Sequence, residues 1–237
     1  MMLILGLECT GKKSSVALVR DEKLIAISPL QSDFGQPTQK LFSTVQSLCQ
    51  DNEVSWSEIE LLAITQGPGS FTGLRVGITF AKTFAYATGC PLKAISTFAA
   101  TAQGLPLSYK QVEVIEDLRK GQVAWQRFEV QNETWIYSSP LIAEEFDVWK
   151  SRDHSGVVHA GLGIPRLTRQ LPDQIWPEDW KLAPEEVWSP DAATVANCGN
   201  IRFLEEGGDN PFQLQPLYVR RSAAEDNLNQ NNRRPRD

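Results

Sequence analysis

Residues 61–88 read LLAITQGPGSFTGLRVGITFAKTFAYAT. The apolar run at 61–64 predicts a buried strand, and the Gly67-Pro68-Gly69 sequence predicts a type II turn with Gly69 at the position that needs positive φ. Ser70 is a suitable N-cap for the long helix that follows. The stretch therefore predicts a strand–turn–helix unit, around which the remaining elements can be arranged.

The helix that begins after Ser70 is apolar around an unusually large part of its circumference. Its polar side chains fall within an arc of roughly 100°, so the apolar face is about twice as wide as that of an ordinary surface helix. Within that face, small residues recur every four positions: Gly73, Gly77, Ala81 and Ala85. Such a ridge lets another backbone approach closely. Two explanations stay open: the ridge packs on the chain's own sheet and second domain, or it receives a helix of a partner protein.

Composition limits the possible functions. The chain of 237 residues carries a net charge of −6, which argues against a broad basic surface that holds nucleic acid unaided. Any contact with RNA is expected to be indirect. Four dispersed cysteines without a CxxC motif favour a reducing cytoplasm. No segment approaches the roughly 18 apolar residues of a membrane helix, so no membrane association is expected.

Patterns along residues 1–106 predict elements in the order βββαβαβα. Three short strands with tight charged turns begin the chain, and a helix over 38–50 precedes the strand–turn–helix unit. This order matches the actin, Hsp70 and sugar-kinase fold, so the predicted class is α/β with two subdomains. The second subdomain, residues 107–222, is expected to be smaller, degenerate and rich in tryptophan. Residues 223–237 are mostly polar and are predicted to be disordered.

Two patterns in the second half give local predictions. Val123 and Trp125 share one strand phase whereas Phe128 and Val130 share the other, which predicts a β-bulge between the pairs. Residues 190–197 predict a short helix that ends at Gly199.

Residues for catalysis are scarce, and no catalytic residue is predicted. His154 and His159 are the only histidines, and strand alternation would place them on opposite faces. We see no cysteine or carboxylate cluster around them, so neither a metal site nor a Ser-His-Asp triad is predicted. A protease is therefore disfavoured.

Nucleotide or anion binding has only weak candidates. They are Glu8, Thr10, Ser14 and Ser70. The first three lie in the opening hairpin, which cradles phosphate in nucleotide-binding actin-like proteins, and Ser70 begins a helix whose free N–H groups could hold an anion. Residues 67–75 form neither a Walker A loop nor a good dinucleotide fingerprint. Glycine loops in the other half are limited to 161–163 and 198–200. The sequence thus predicts half of a nucleotide site, and a small-molecule kinase or ATPase remains an alternative function.

Five segments agree, in order, with the pattern of one family. They are LGLECTGKKSSVALV at 5–19, PTQKLFSTV at 37–45, GPGSFTGLRVGITFAK at 67–82, EDLRKGQVAW at 116–125 and QPLYVR at 215–220. Glu8 replaces the more usual aspartate, and Pro37 stands where histidine is common. On these segments the chain resembles the bacterial TsaB family, formerly called YeaZ.

The resemblance implies a subunit of the machinery that makes threonylcarbamoyladenosine beside the anticodon of ANN-decoding tRNAs. In that machinery the related subunit TsaD performs the transfer and carries the metal and the ATP or ADP, and the ATPase TsaE joins the pair. This chain is then a non-catalytic scaffold without a cofactor, which pairs with TsaD through helices 38–50 and 70–88, or with a second copy when TsaD is absent. The expected interface residues are Leu41, Val45, Leu48, Leu74, Gly77, Ile78, Ala81 and Ala85.

Overall fold

A computed structural model describes residues 2–11, 13–30 and 37–219, with side chains from residue 40 onward in the last range. The tail predicted to be disordered, residues 223–237, lies outside the described residues. None of the described helices is both long and apolar enough to cross a membrane.

The first of two sheets carries the opening half of the chain. Its strands are β1 (Leu3–Glu8), β2 (Ser15–Arg20), β3 (Lys23–Pro29), β4 (Leu61–Gly67) and β5 (Leu92–Ser96), in the order β3-β2-β1-β4-β5. The first three strands form the predicted antiparallel meander, and β4 and β5 add to β1 in parallel. Every residue of β1 is buried, as expected of a strand covered by helices on both faces.

Helices cover both faces of this sheet. On one face α1 (Pro37–Asp51) and α2 (Phe71–Thr88) lie side by side. On the other face lie α3 (Thr97–Gln103) and the last helix, α6 (Ala192–Glu206). The predicted order βββαβαβα for residues 1–106 is confirmed.

The second sheet carries the middle of the chain. Its strands are β6 (Gln111–Arg119), β7 (Gln122–Gln131), β8 (Thr134–Tyr137), β9 (Ile142–Glu145), β10 (Val158–Ala160) and β11 (Lys181–Leu182). They run in the order β11-β10-β6-β7-β8, and β9 pairs with β7. Two short helices, α4 (Phe146–Lys150) and α5 (Ile164–Thr168), follow β9 and β10.

The predicted bulge in β7 is wrong. The strand pairs with β6 without interruption from Glu129 to Val123. The two side-chain phases serve two buried faces instead: Val123 and Trp125 join one apolar cluster, and Ala124 and Phe128 join another. A strand covered on both sides needs no change of phase.

The predicted end of the last helix at Gly199 is also wrong. Helix α6 runs on to Glu206 and ends at Gly207, whose φ is 76°. Gly199 is a packing position, since a Cβ added there would lie 2.3 Å from the Cβ of Ala63 in β4. Residues 192–206 of the predicted second subdomain thus pack on the first sheet, and the division at 106 and 107 stays a prediction.

The turn before α2 differs from the predicted type II turn. Gly69 has a φ of 159° rather than about 80°, and the Gly67–Pro68 peptide bond is cis. A Cβ on Gly69 would lie 2.5 Å from the Cβ of Thr10, so only glycine fits against this residue. Ser70 is the N-cap, as predicted: its hydroxyl accepts a hydrogen bond from the N–H of Gly73 at 3.3 Å.

The small-residue ridge of α2 packs on the chain's own sheet. A Cβ on Gly73 would lie 1.8 Å from the carbonyl oxygen of Cys9, and one on Gly77 would lie 3.0 Å from the Cβ of Cys9. Ala81 and Ala85 are buried. This supports the first of the two explanations and corrects the second, because no free ridge is left for a partner helix.

The eight expected interface residues are all buried inside the chain. They are Leu41, Val45, Leu48, Leu74, Gly77, Ile78, Ala81 and Ala85. Most of them belong to the core between α1, α2 and the first sheet. Their side chains position the two helices and offer almost no surface to a partner.

The packing of the ridge predicts whether Gly73→Ala stabilises or destabilises the chain. Replacing a helix glycine by alanine normally raises the free energy of unfolding by about 1 kcal/mol. Gly73→Ala would have this effect if the ridge faced solvent or an absent partner. Because Cys9 occupies the space, we expect the free energy of unfolding of the isolated chain to fall by about 1–3 kcal/mol. Urea unfolding measures it, with Thr79→Ala on the exposed side of the same helix as the control. A more stable Gly73→Ala variant would contradict the packing described here.

Candidate functional site

A cleft of about 790 Å³ lies between the two sheets. The first sheet contributes the turn after β1 and the start of α2, including Thr10 and Ser70. The second sheet contributes the end of β6, and Arg166 and Arg169 lie in and just after α5. Of the four predicted anion-binding residues, Thr10 and Ser70 line this cleft, whereas Glu8 and Ser14 do not.

Glu8, the carboxylate expected to face a ligand, is fully buried. Its Oε1 accepts hydrogen bonds from the backbone N–H and hydroxyl of Thr10 and from the N–H of Gly11. Burial raises the pKa of Glu8, and the hydrogen bonds from Thr10 act in the opposite direction. The carboxyl group caps its own turn and presents no surface to the cleft.

The three predicted hydroxyls also have partners within the chain. Thr10 is buried beside Glu8. The hydroxyl of Ser14 donates to the carbonyl of Gly11 at 2.7 Å, and that of Ser70 caps α2. Ser70 is exposed at the cleft. Anion binding by these residues stays a prediction.

The two glycine loops expected as weak phosphate candidates are explained by packing. A Cβ on Gly161 would lie 2.1 Å from the carbonyl oxygen of Ile115, and one on Gly163 would lie 2.5 Å from the backbone nitrogen of Asp117. These glycines let the segment after β10 lie directly on β6. Gly199 has the same role between α6 and β4.

Charged residues at the end of β6 were not predicted as part of the site. Asp117 is buried, and its Oδ2 lies 3.7 Å from Nη1 of Arg166 and 3.9 Å from Nε of Arg119. Burial raises the pKa of the neighbouring Glu116 to about 7, with a smaller rise from Asp117 and opposing effects of Arg166 and Arg119. The charged run at 116–120 was the signal in the sequence, but its place beside the cleft depends on β6 pairing.

A second candidate site is the outward surface of the two helices on the first sheet. We call it the α1/α2 face and define it by Phe42, Trp56, Val76, Thr79 and Phe80. The side chain of Phe42 is 48% exposed, and its ring lies 5.5 Å from that of Trp56. The ring of Trp56 lies 5.3 Å from that of the buried Phe84, which stacks with Phe80 at 6.0 Å. An aromatic strip thus connects the two helices.

The two histidines meet in the second sheet, contrary to prediction. Their ring centroids are 5.1 Å apart, and Glu113 lies beside both. His154 lies in the loop before β10, so strand alternation does not apply to it, and His159 is the register partner of Glu113 on β6. We call these three residues the Glu113 cluster. Strand pairing brings the carboxylate there, which spacing along the chain does not show.

Glu116 makes the stability of the chain depend on pH. Its raised pKa means that between about pH 4.5 and 7 the folded state keeps a proton that the unfolded state has lost, so its contribution to stability falls as pH rises through this range. We expect the free energy of unfolding of Glu116→Gln, taken relative to that of the parent, to be about 1–3 kcal/mol higher at about pH 8 than at about pH 5. Urea unfolding at both pH values tests this, with the exposed carboxylate variant Glu185→Gln as control. A Glu116→Gln difference that does not change with pH would contradict it.

A family model described as TsaD, tRNA N6-adenosine threonylcarbamoyltransferase, matches residues 36–163, more than half of the chain. The chain is similar to two groups of proteins, which differ in how much of their length it matches. The tRNA threonylcarbamoyladenosine biosynthesis protein TsaB of Escherichia coli is 32% identical over 94% of this chain and 96% of its own length. A tRNA N6-adenosine threonylcarbamoyltransferase of Lawsonia intracellularis is 33% identical, but over 40% of this chain and 31% of its own length.

Solved structures give the fold. YeaZ from Pseudomonas aeruginosa superimposes with a TM-score of 0.75 at 22% identity, covering 92% of this chain and 100% of that one. The predicted actin-like α/β fold is confirmed. The match to the TsaB protein of E. coli extends over nearly the full length of both chains, whereas the match to the transferase covers 40% of this chain and 31% of the transferase. The chain therefore belongs to the TsaB (YeaZ) family.

Proposed function

We propose that this chain is the non-catalytic scaffold subunit of tRNA threonylcarbamoyladenosine biosynthesis and that it binds TsaD through the α1/α2 face. Its relatives are named for that biosynthesis. The observation that carries the proposal is the aromatic strip from Phe42 to Phe80. In this strip Phe42 is exposed and Trp56 and Phe80 are partly exposed, while the buried Phe84 supports them from the core.

The composition of this face suits a protein partner. Single exposed apolar side chains are ordinary, but a connected aromatic strip with a polar rim is typical of interaction sites. Exposed Ser43, Gln46, Thr79 and Thr83 provide that rim. Aromatic side chains that are already held by neighbours lose little freedom on binding, so they are effective interface anchors.

The same segment suggests which surface the partner presents. The TsaD-type family model matches residues 36–163, which include both helices of the face. A TsaD subunit therefore has a segment like this one, and two like surfaces can pack about an approximate twofold axis. A second copy of this chain offers the same surface, so we infer that the chain forms a homodimer when TsaD is absent.

The buried position of Glu8 suggests which subunit binds the nucleotide and the metal. Because Glu8 is sealed inside its own turn, the carboxylate that would orient a metal or water in a kinase or ATPase does not reach the cleft. We therefore assign the ATP or ADP and the metal to TsaD and infer that TsaE joins the pair. Contact with tRNA is indirect, in keeping with the net charge of −6. The four buried, unpaired cysteines fit a reducing cytoplasm.

Charge on the α1/α2 face should weaken pairing. We expect Phe42→Asp and Thr79→Arg each to weaken TsaD binding by about thirtyfold, the equivalent of about 2 kcal/mol for a central interface residue. The same variants should turn any homodimer into monomer. Binding is measured by calorimetry with the cognate TsaD, and the homodimer by light scattering.

The matched control is Leu204→Asp, on the exposed side of α6 across the same sheet, where the side chain is 70% exposed. Ile78 is not a useful position, because a charge there enters the core and tests folding instead. If both face variants stay folded and bind TsaD as tightly as Leu204→Asp does, this interface is excluded.

The kinase alternative has its own test. Because the hairpin carboxylate is buried, we expect no binding of magnesium ATP to the isolated chain tighter than about 0.1 mM, which corresponds to about −5.5 kcal/mol. Isothermal calorimetry decides, with TsaD as the positive control. Saturable binding that is tighter than this limit would favour a nucleotide-using enzyme.

A further inference from the structure

We propose that the Glu113 cluster is a binding site for a divalent transition-metal ion of the class that Zn²⁺ represents. The site would join β6, β10 and the loop that connects α4 to β10. It lies in the second sheet, away from the α1/α2 face, and does not depend on the proposed function.

The three ligand atoms are already close together. Nδ1 of His159 lies 3.5 Å and Nδ1 of His154 lies 3.9 Å from Oε1 of Glu113, and the ligand atoms of the cluster all lie within 4.8 Å of one another. Ligand atoms about 2.1 Å from a tetrahedral zinc ion are roughly 3.4 Å apart. One pair nearly matches that spacing, and side-chain adjustments of about an ångström would close the others.

Buried nitrogen atoms that make no hydrogen bond point to a missing ligand. All three side chains are buried, with 0% exposure for Glu113 and His159 and 3% for His154. Neither nitrogen of His159, and not Nδ1 of His154, meets hydrogen-bond geometry among the described residues, although both Nδ1 atoms face Oε1 of Glu113 at 3.5 and 3.9 Å. A buried polar atom without a hydrogen bond costs about 1–3 kcal/mol of stability. A cation that accepts these lone pairs would remove that cost.

The surrounding hydrogen bonds prepare the ligands. Nε2 of His154 lies 3.1 Å from the carbonyl oxygen of Trp149, which places the proton on Nε2 and leaves the lone pair of Nδ1 toward Glu113. Oε1 of Glu113 accepts from Nε1 of Trp149 at 2.8 Å, and Oε2 accepts from Nε of Arg127 at 2.7 Å. Such outer partners, which fix ring orientation and carboxylate position, are typical of metal sites.

Charge and ligand type select the ion. Arg127 already neutralises Glu113, so a second cation gains little from the carboxylate alone and depends on the two imidazoles. Imidazole favours Zn²⁺, Cu²⁺, Ni²⁺ and Fe²⁺, whereas Mg²⁺ prefers oxygen ligands. Three protein ligands leave the fourth position of a tetrahedral ion for water.

The test uses the full chain without an affinity tag, stripped with a chelator. Because these two residues are the only histidines, no other imidazole competes. We expect one equivalent of Zn²⁺ to bind and Mg²⁺ not to bind. Co²⁺ should give visible absorption typical of nitrogen and oxygen ligands without a thiolate charge-transfer band. Cu²⁺ should quench tryptophan fluorescence, since the ring of Trp180 lies 4.1 Å from that of His154.

Variants separate a metal site from a structural cluster. His154→Gln and His159→Gln should each weaken Zn²⁺ binding by at least about tenfold, whereas Glu116→Gln, a carboxylate on the same strand outside the cluster, should not. Circular dichroism checks folding, and the loop position of His154 keeps at least one variant interpretable. The proposal is overturned if the stripped chain takes up no stoichiometric Zn²⁺, or if a folded His154→Gln binds Zn²⁺ as tightly as the parent.

Discussion

Direct packing of α2 on the end of β1 is the constraint on which the rest of the structure depends. Gly73 and Gly77 leave room for Cys9, so the helix lies closer to the sheet than side chains would allow. That contact fixes which side of α2 is buried and brings α1 alongside it. The side of α2 that remains outward carries Val76, Thr79 and Phe80 of the α1/α2 face. One close approach between backbones therefore determines both the core and the surface offered to a partner.

Most of the residues that the sequence predicted for a nucleotide site in the cleft between the sheets stabilise the fold instead. Glu8 caps the turn after β1, and glycines 161, 163 and 199 let segments cross strands at short distance. The charges that remain at the cleft come from the end of β6 and from α5. A subunit whose partner supplies the nucleotide would be expected to retain the cleft in this form.

The sequence predicted the order of the helices and strands, but it did not predict which distant segments pack together. The element order to residue 106 and the cap at Ser70 follow from spacing and turn chemistry, which act over a few residues. The errors arose where distant segments meet. Gly199 lies inside a helix, where it packs on Ala63, and β7 keeps its register because both of its faces are buried. Strand pairing places Glu113 beside the two histidines. The apolar width of α2 was predicted correctly, but its cause was the chain's own first strand.

The central claim is that the outward side of α1 and α2 is where TsaD binds. Hydroxyl-radical footprinting of the chain, alone and with its cognate TsaD, tests it most directly because it reads the exposure of individual side chains. Phe42 and Phe212 are the same residue type and are 48% and 75% exposed in the free chain. The account predicts that TsaD protects Phe42 from oxidation and leaves Phe212 reactive. An unprotected Phe42 in a saturated complex would contradict it.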